Sequence, residues 1–120
     1  MAVPSAPAPT PPDLIRQLPA LRVALLDQHR FRTDQLSRLR AEVPADDARG
    51  EVTASLRRAG RVALADIEAA LDRMRTGRYG RCVACAGTVP LEQLEILPAV
   101  ALCMDCQRAD LPADPGTSSP

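Results

Sequence analysis

Lysine and tryptophan are absent from this 120-residue chain, and Phe31, Tyr79 and His29 are its only aromatic rings. A nucleic-acid module that stacks bases on aromatic side chains has almost nothing here to stack on. A surplus of one charge sign is missing as well. Fifteen basic residues, all arginine, balance fifteen acidic ones. No bulk positive field draws the chain to DNA, RNA or an anionic lipid surface, and no direct DNA binding is expected. No apolar run approaches the roughly 18 residues a membrane span needs, so no membrane partner is expected either. The opening "MAVPSAPAPTPPD" lacks a basic region followed by an apolar core, and the expected address is the cytoplasm. Catalytic patterns are missing too: no nucleophile–base pair, glycine-rich phosphate loop or pair of catalytic carboxylates stands out. His29 reads as a solvated helix residue. The chain is not expected to be an enzyme.

Cysteine is scarce but concentrated. All four lie between residues 81 and 107, as Cys82 and Cys85, then 17 residues, then Cys103 and Cys106. Two CxxC pairs at this separation are a zinc spacing. Each CxxC turn points two sulfurs at one place, and two turns close a tetrahedron around one ion, leaving no position for a substrate. The expected cofactor is therefore one structural Zn2+. Four thiolates on a divalent ion leave a double negative charge, which the neighbouring Arg78, Arg81 and Arg108 can offset. Two other uses compete. A redox CxxC usually comes singly beside a βαβ pattern, which this chain lacks. Disulfides are rare in the cytoplasm.

The chain before the cysteines is patterned for helix. In one stretch apolar residues fall at Leu21, Leu25, Leu36, Leu39 and Val43. In the next they fall at Val52, Leu56, Ala59, Ala63, Ile67, Ala70 and Met74. Steps of three and four mark one buried stripe per helix. Pro44 stops the first helix, Asp46 or Asp47 caps the second, and Gly77 follows its last turn. Folding the chain back brings Leu39 to Leu56, Leu36 to Ala59, Leu25 to Ala70 and Leu21 to Met74. The combined spacing repeats about every 11 residues, which predicts only a slight supercoil. Gln28 and Arg32 interrupt the seam. Gly60 weakens the second helix. Pro19 predicts a kink or a fresh helix start. Leu14 and Leu18 continue the spacing beyond Met74, toward the cysteine segment.

The expected fold is mainly α: an antiparallel coiled-coil helical hairpin joined to a small four-cysteine zinc-finger module, with disordered Pro-rich termini. Residues 1–12 read as a disordered tail and 13–77 as the hairpin. Its arms span about 20–43 and 47–76, around a tip at 44–50. Residues 78–111 read as the finger and 112–120 as a second disordered tail. Charge along the hairpin is uneven. Glu42, Asp46, Asp47 and Glu51 gather at the tip. Below them Arg38 and Arg40 on one arm reach the height of Arg57, Arg58 and Arg61 on the other, forming a collar available to a partner. Solvation of exposed helix faces explains the same pattern without a partner.

With hairpin and finger in place, the chain resembles the DksA/TraR family of bacterial transcription regulators. "AALDRMRTGRYGRC" resembles the family's helix end and its G-x-Y-G-x-C entry to the finger. "VPLEQLEILPAVALCMDCQ" resembles its I-P…R-L-E-A-x-P…x-L-C-x-x-C stretch, and the interval between cysteine pairs matches. The resemblance is strongest over residues 69–107. It implies a non-enzymatic protein that binds RNA polymerase, places a coiled coil in the secondary channel and modulates initiation with tip carboxylates. It also implies zinc ligands at Cys82, Cys85, Cys103 and Cys106. Against the family tip pattern D-x-x-D-x-A, "VPADDA" supplies Asp46 and Ala48, with Val43 in the first acid's place and Asp47 as a neighbouring substitute. Ala86 stands where a glycine usually follows the second cysteine. Pro112 cuts the last helix to about two turns. The alarmone ppGpp, with which some members act, enters only through the resemblance; no residue here supports a site for it. Three alternatives stay open: a nucleic-acid-binding zinc ribbon, a thiol oxidoreductase, and a degenerate family member lacking polymerase control.

Overall fold

The computed structural model of the chain describes residues 10–42 and 47–110. Helix α1 spans Pro12–Ala41 and helix α2 spans Ala48–Arg75. They pack against each other as a long hairpin. Two short helices follow, α3 at Leu91–Ile96 and α4 at Met104–Asp110. Among the described residues the only extended pairing is one antiparallel bridge, Arg81 to Thr88. No described helix is long and apolar enough to cross a membrane. Most of the sequence expected as tails, and Val43 to Asp46 at the tip, lie outside the described residues.

The first arm begins at Pro12, well before residue 20 where the sequence reading placed it. Proline is at home in a first helical turn, where its missing N–H has no partner to lose. Asp13 in that turn meets the positive end of the helix dipole and pairs with Arg16. The helix then runs through Pro19 with no fresh start. Burial of Leu14 and Leu21 on either side offsets the hydrogen bond that Pro19 cannot donate.

The core sits at the base of the hairpin. Leu14, Leu21, Leu25, Ile67 and Ala70 from the two arms join Tyr79, Cys82, Val89 and Leu94 from the finger in one buried cluster. Leu25 and Leu94 are fully buried. The middle of the seam is polar. Arg32 donates to Gln35 Oε1 at 3.0 Å, and His29 Nε2 lies 3.2 Å from Glu68 Oε1 on the other arm. His29, read from sequence as simply solvated, therefore spans the two helices.

Toward the tip, the second arm departs from its expected face. Val52 and Leu56, placed in the seam by their spacing, are 58% and 45% exposed. Thr53, Arg57 and Gly60 turn inward instead. Gly60 is the physical reason. A Cβ there would lie 3.0 Å from Leu36 Cδ2, so the missing side chain lets Leu36 fill the space over the α2 backbone. Polar contacts then replace apolar ones. Thr53 Oγ1 donates to Glu42 Oε2 at 3.0 Å, and Arg57 donates to the Leu39 carbonyl, from Nε at 3.0 Å and also from its terminal nitrogen.

Candidate metal centre

The last turn of α2 sets the direction of the finger. Gly77 takes a φ of 75°. Arg78 N donates to the Arg73 carbonyl at 2.8 Å and Gly77 N to that of Met74 at 3.4 Å, the paired bonds of a Schellman stop. Tyr79 then turns inward and donates its hydroxyl to the Pro98 carbonyl at 2.7 Å. Burial pushes this phenol up to about 12, against an opposing pull from the Arg73 charge. Gly80, at φ 86°, lies where a Cβ would overlap Leu14. Each of the three fixed residues of the G-x-Y-G entry therefore has a job: Gly77 stops the helix, Tyr79 anchors the loop, and Gly80 admits the start of α1 against the finger.

The first knuckle is a tight loop. Cys82 N donates to the Gly87 carbonyl at 2.7 Å and Ala86 N to the Cys82 carbonyl at 2.9 Å. The second is tied to it through Val83 N, which donates to the Ala101 carbonyl at 2.9 Å. Cys103 immediately precedes α4 and Cys106 lies in its first turn. The four sulfurs consequently lie within 4.8 Å of one another. Cys85 and Cys103 are 3.7 Å apart at sulfur. A tetrahedron with metal–sulfur bonds of about 2.3 Å has edges of about 3.8 Å, whereas a disulfide needs about 2 Å. All four cysteines are free thiols. The donor set fits a four-thiolate metal site with no open position.

The surroundings favour thiolate at Cys82 and oppose it at Cys85 and Cys106. Backbone N–H groups of Cys103, and then of Cys85 and Ala84, point at the Cys82 sulfur and pull its thiol down to about 6, although burial opposes them. Gly87 N donates to the Cys85 sulfur at 3.3 Å. The Cys106 thiol is pushed the other way by its hydrogen bonds to Cys103, Cys82 and Cys85. Sulfurs this close share protons when no cation is present, and a metal ion replaces those protons on binding. Cys82 is buried, Cys103 and Cys106 half-buried, and Cys85 exposed.

One residue of the knuckle is strained. Ala86 has a φ of 62°, in the left-handed region that favours glycine. The next residue, Gly87, does not relieve it, since a Cβ at Gly87 would stand 3.2 Å from the Cys85 sulfur.

The other expected site residues are scattered. Asp47 caps α2, its carboxylate accepting from Gly50 N at 3.1 Å, and Ala48 is the exposed first residue of that helix. Asp46 lies outside the described residues. Arg38, Arg40, Arg58 and Arg61 are exposed. Arg57 is a correction to that set: it is half-buried and occupied with the α1 carbonyls, because the end of α1 leaves acceptors that α2 can satisfy. Near the cysteines, Arg108 lies 3.7 Å from Asp105, so it is not free to serve the thiolates alone. The sequence reading missed Arg73. This residue is 9% exposed and its side chain donates to the Val100 carbonyl at 3.3 Å. Its place one turn before the Gly77 stop, on the side of α2 that meets the finger, was the available signal.

The chain is similar to a solved structure, that of transcription factor DksA2 from Pseudomonas aeruginosa. The TM-score is 0.65 at 24% sequence identity, covering 78% of this chain and 82% of that one. No family model and no curated protein matches the sequence. The fold, a helical hairpin carrying a four-cysteine module, is thus shared with that structure.

Proposed function

We propose that the chain is a zinc-stabilised, non-enzymatic transcription regulator that acts in the cytoplasm by binding RNA polymerase. The observation that carries this reading is the joint one: a hairpin-and-finger fold shared with a transcription factor, with all four cysteines gathered at the finger. Cys82, Cys85, Cys103 and Cys106 hold one Zn2+, which supplies folding free energy rather than chemistry. The finger fastens the base of the hairpin, and the hairpin enters the polymerase secondary channel with its tip toward the catalytic region.

Asp46 and Asp47, followed by Ala48, carry the effect on initiation. Asp47 has a second duty as the α2 cap. Arg38, Arg40, Arg58 and Arg61 form the part of the collar that meets acidic channel walls. Electrostatic complementarity of this kind sets partner choice and association rate more than raw affinity.

The test separates docking from modulation. Pull-down with core polymerase should capture the wild type. Asp46→Asn with Asp47→Asn keeps capping ability and removes the charge. It should leave zinc content, melting temperature and polymerase capture nearly unchanged while abolishing any effect in a purified initiation assay. Arg58→Ala with Arg61→Ala should weaken capture. A wild-type protein that never binds polymerase overturns the reading. A tip variant as active as wild type removes the carboxylate role and leaves simple obstruction of the channel.

A further inference from the structure

Between the last turns of α2 and the first knuckle lies an open groove of about 510 Å3. Arg73, Arg78 and Arg81 line it, with Ala69, Val83 and Ala86 as apolar walls. Among the described residues none of the three arginines has an ion-pair partner. Arg73 is the telling one. A guanidinium has five N–H donors, yet among the described residues that of Arg73, a residue only 9% exposed as a whole, makes a single hydrogen bond, to the Val100 carbonyl. No nitrogen of Arg73 is sealed off without a partner, so its remaining donors meet the solvent of the groove. Removing a charge from water without pairing it is costly. The fold has kept a buried cation facing a cleft.

We propose that this groove is a docking site for one carboxylate side chain of a protein partner, carried on a segment with an apolar neighbour. The claim rests on the reading above that the chain works by docking on another protein. Charge bookkeeping selects the occupant. Asp72 also lines the groove but is paired with Arg75 at 2.5 Å, so the two cancel. Cys82 reaches the same wall, and the metal-loaded thiolate cluster behind it carries a double negative charge. Among the lining residues, three guanidiniums against that charge leave one positive charge unmatched; Asp66, whose charge also acts on Arg73, lies outside the lining. A monoanionic carboxylate completes the balance, while a dianionic phosphate overshoots it and is repelled by the thiolates. Guanidinium–carboxylate geometry is bidentate and favourable. The volume far exceeds a carboxylate alone, and Val83 with the two alanines gives an apolar neighbour a surface to cover.

The structural alternative is that the arginines serve only to balance the thiolates. One experiment decides, using the zinc-loaded full chain at low ionic strength. The capped peptide acetyl-Val-Glu-Leu-amide is titrated while the Arg73 and Arg81 side-chain N–H signals and the Val83 and Ala86 amide signals are followed by NMR. The glutamine counterpart and inorganic phosphate serve as second and third probes. The glutamate peptide should shift these signals saturably, at least tenfold more tightly than either other probe. Arg78→Gln with Arg81→Gln should abolish the shift with zinc content intact; Arg73 is left alone because its burial ties it to the fold. Equal binding of the glutamate and glutamine peptides overturns the proposal, as does tighter binding of phosphate. So does a wild type that stays silent to the glutamate peptide, whatever the zinc content of the double variant. Peptide binding by a protein that ignores polymerase would sink the polymerase reading and leave the groove standing.

Discussion

The two ends of the hairpin are built from the same helices by different means. At the base, leucine, isoleucine and alanine from both arms close over the finger in one cluster, with Leu25 at 0% exposure. Toward the tip, among the described residues, only Leu36 and Leu39 are buried on α1, with Leu36 facing Gly60, and side-chain hydrogen bonds link the arms. Burial at the base is worth about 25 cal/mol per Å2 and is not weakened by ionic screening. The exposed polar links are each worth about 1 kcal/mol or less. The difference gives a fixed base and a weakly held tip, which suits an element that fastens at one end and works at the other.

The largest blow to this contrast is loss of the metal. Chelation, or Cys85→Ser, should unfold the finger and expose Leu14, Tyr79 and Leu94, while most helix between residues 30 and 60 survives. Circular dichroism with residue-resolved amide exchange reads both halves at once. Equal protection of the finger with and without metal would contradict a metal-dependent base. Next in size, Leu25→Ala should cost about 3 kcal/mol or more in denaturant unfolding. Leu56→Ala, at a position of the same sequence character, should cost less than about 0.5 kcal/mol. Similar costs would mean that the tip is packed like the base.

Tyr79 sharpens the comparison by pH. Its phenol ionises near 10 in an unfolded chain and near 12 in the fold. Between those values the unfolded state has lost the proton and the native state keeps it. The stabilisation is therefore complete below about pH 10 and is lost as pH rises toward 12. The chain has no lysine and a single tyrosine, so this window contains few other changes. Tyr79→Phe should cost about 1–2 kcal/mol at neutral pH, leaving the buried Pro98 carbonyl without its donor. It should also flatten the fall in stability between pH 10 and 12. An unchanged slope would argue against a buried phenol. The smallest expected change is a gain: Ala86→Gly should stabilise the loaded finger by about 1 kcal/mol by relieving a left-handed alanine, measured by thermal unfolding at fixed zinc.

How legible all this was depends on what kind of force was at work. The four cysteines declare themselves by spacing alone, because a metal site needs only ligand identity and short turns. Gly77 could be read as punctuation for the same local reason, whereas Gly80 entered only as part of the G-x-Y-G-x-C stretch. The base seam followed from Leu21, Leu25, Ile67 and Ala70, whose spacing and burial agree. The tip half did not, because Val52, Leu56 and Ala59 make an apolar stripe that points away from α1. What decides the face there is close approach at Gly60, and a glycine's missing Cβ says nothing about direction until its neighbour is known. Arg57 misled for a related reason: its charge reads as surface, while its length lets it satisfy carbonyls on the other arm. The start of α1 was set too late because Pro19 looks like a boundary, although the spacing of Leu14 and Leu18 already carried the stripe past it toward the finger, where Leu14 is buried.

That distant contact has a kinetic side. Leu14 meets Gly80 and Leu94, so the first helical turn is joined to residues near the opposite end of the chain. Bringing such remote segments together is entropically slow in an open coil, and the cost grows with the logarithm of the loop. Once the two arms zip, however, the intervening chain is doubled back and its ends already lie side by side. The joint can then close late, as a latch on a structure that has mostly formed. A latch of that order resists opening more than it hastens assembly. Its strength therefore governs how long the native state survives rather than how quickly it appears.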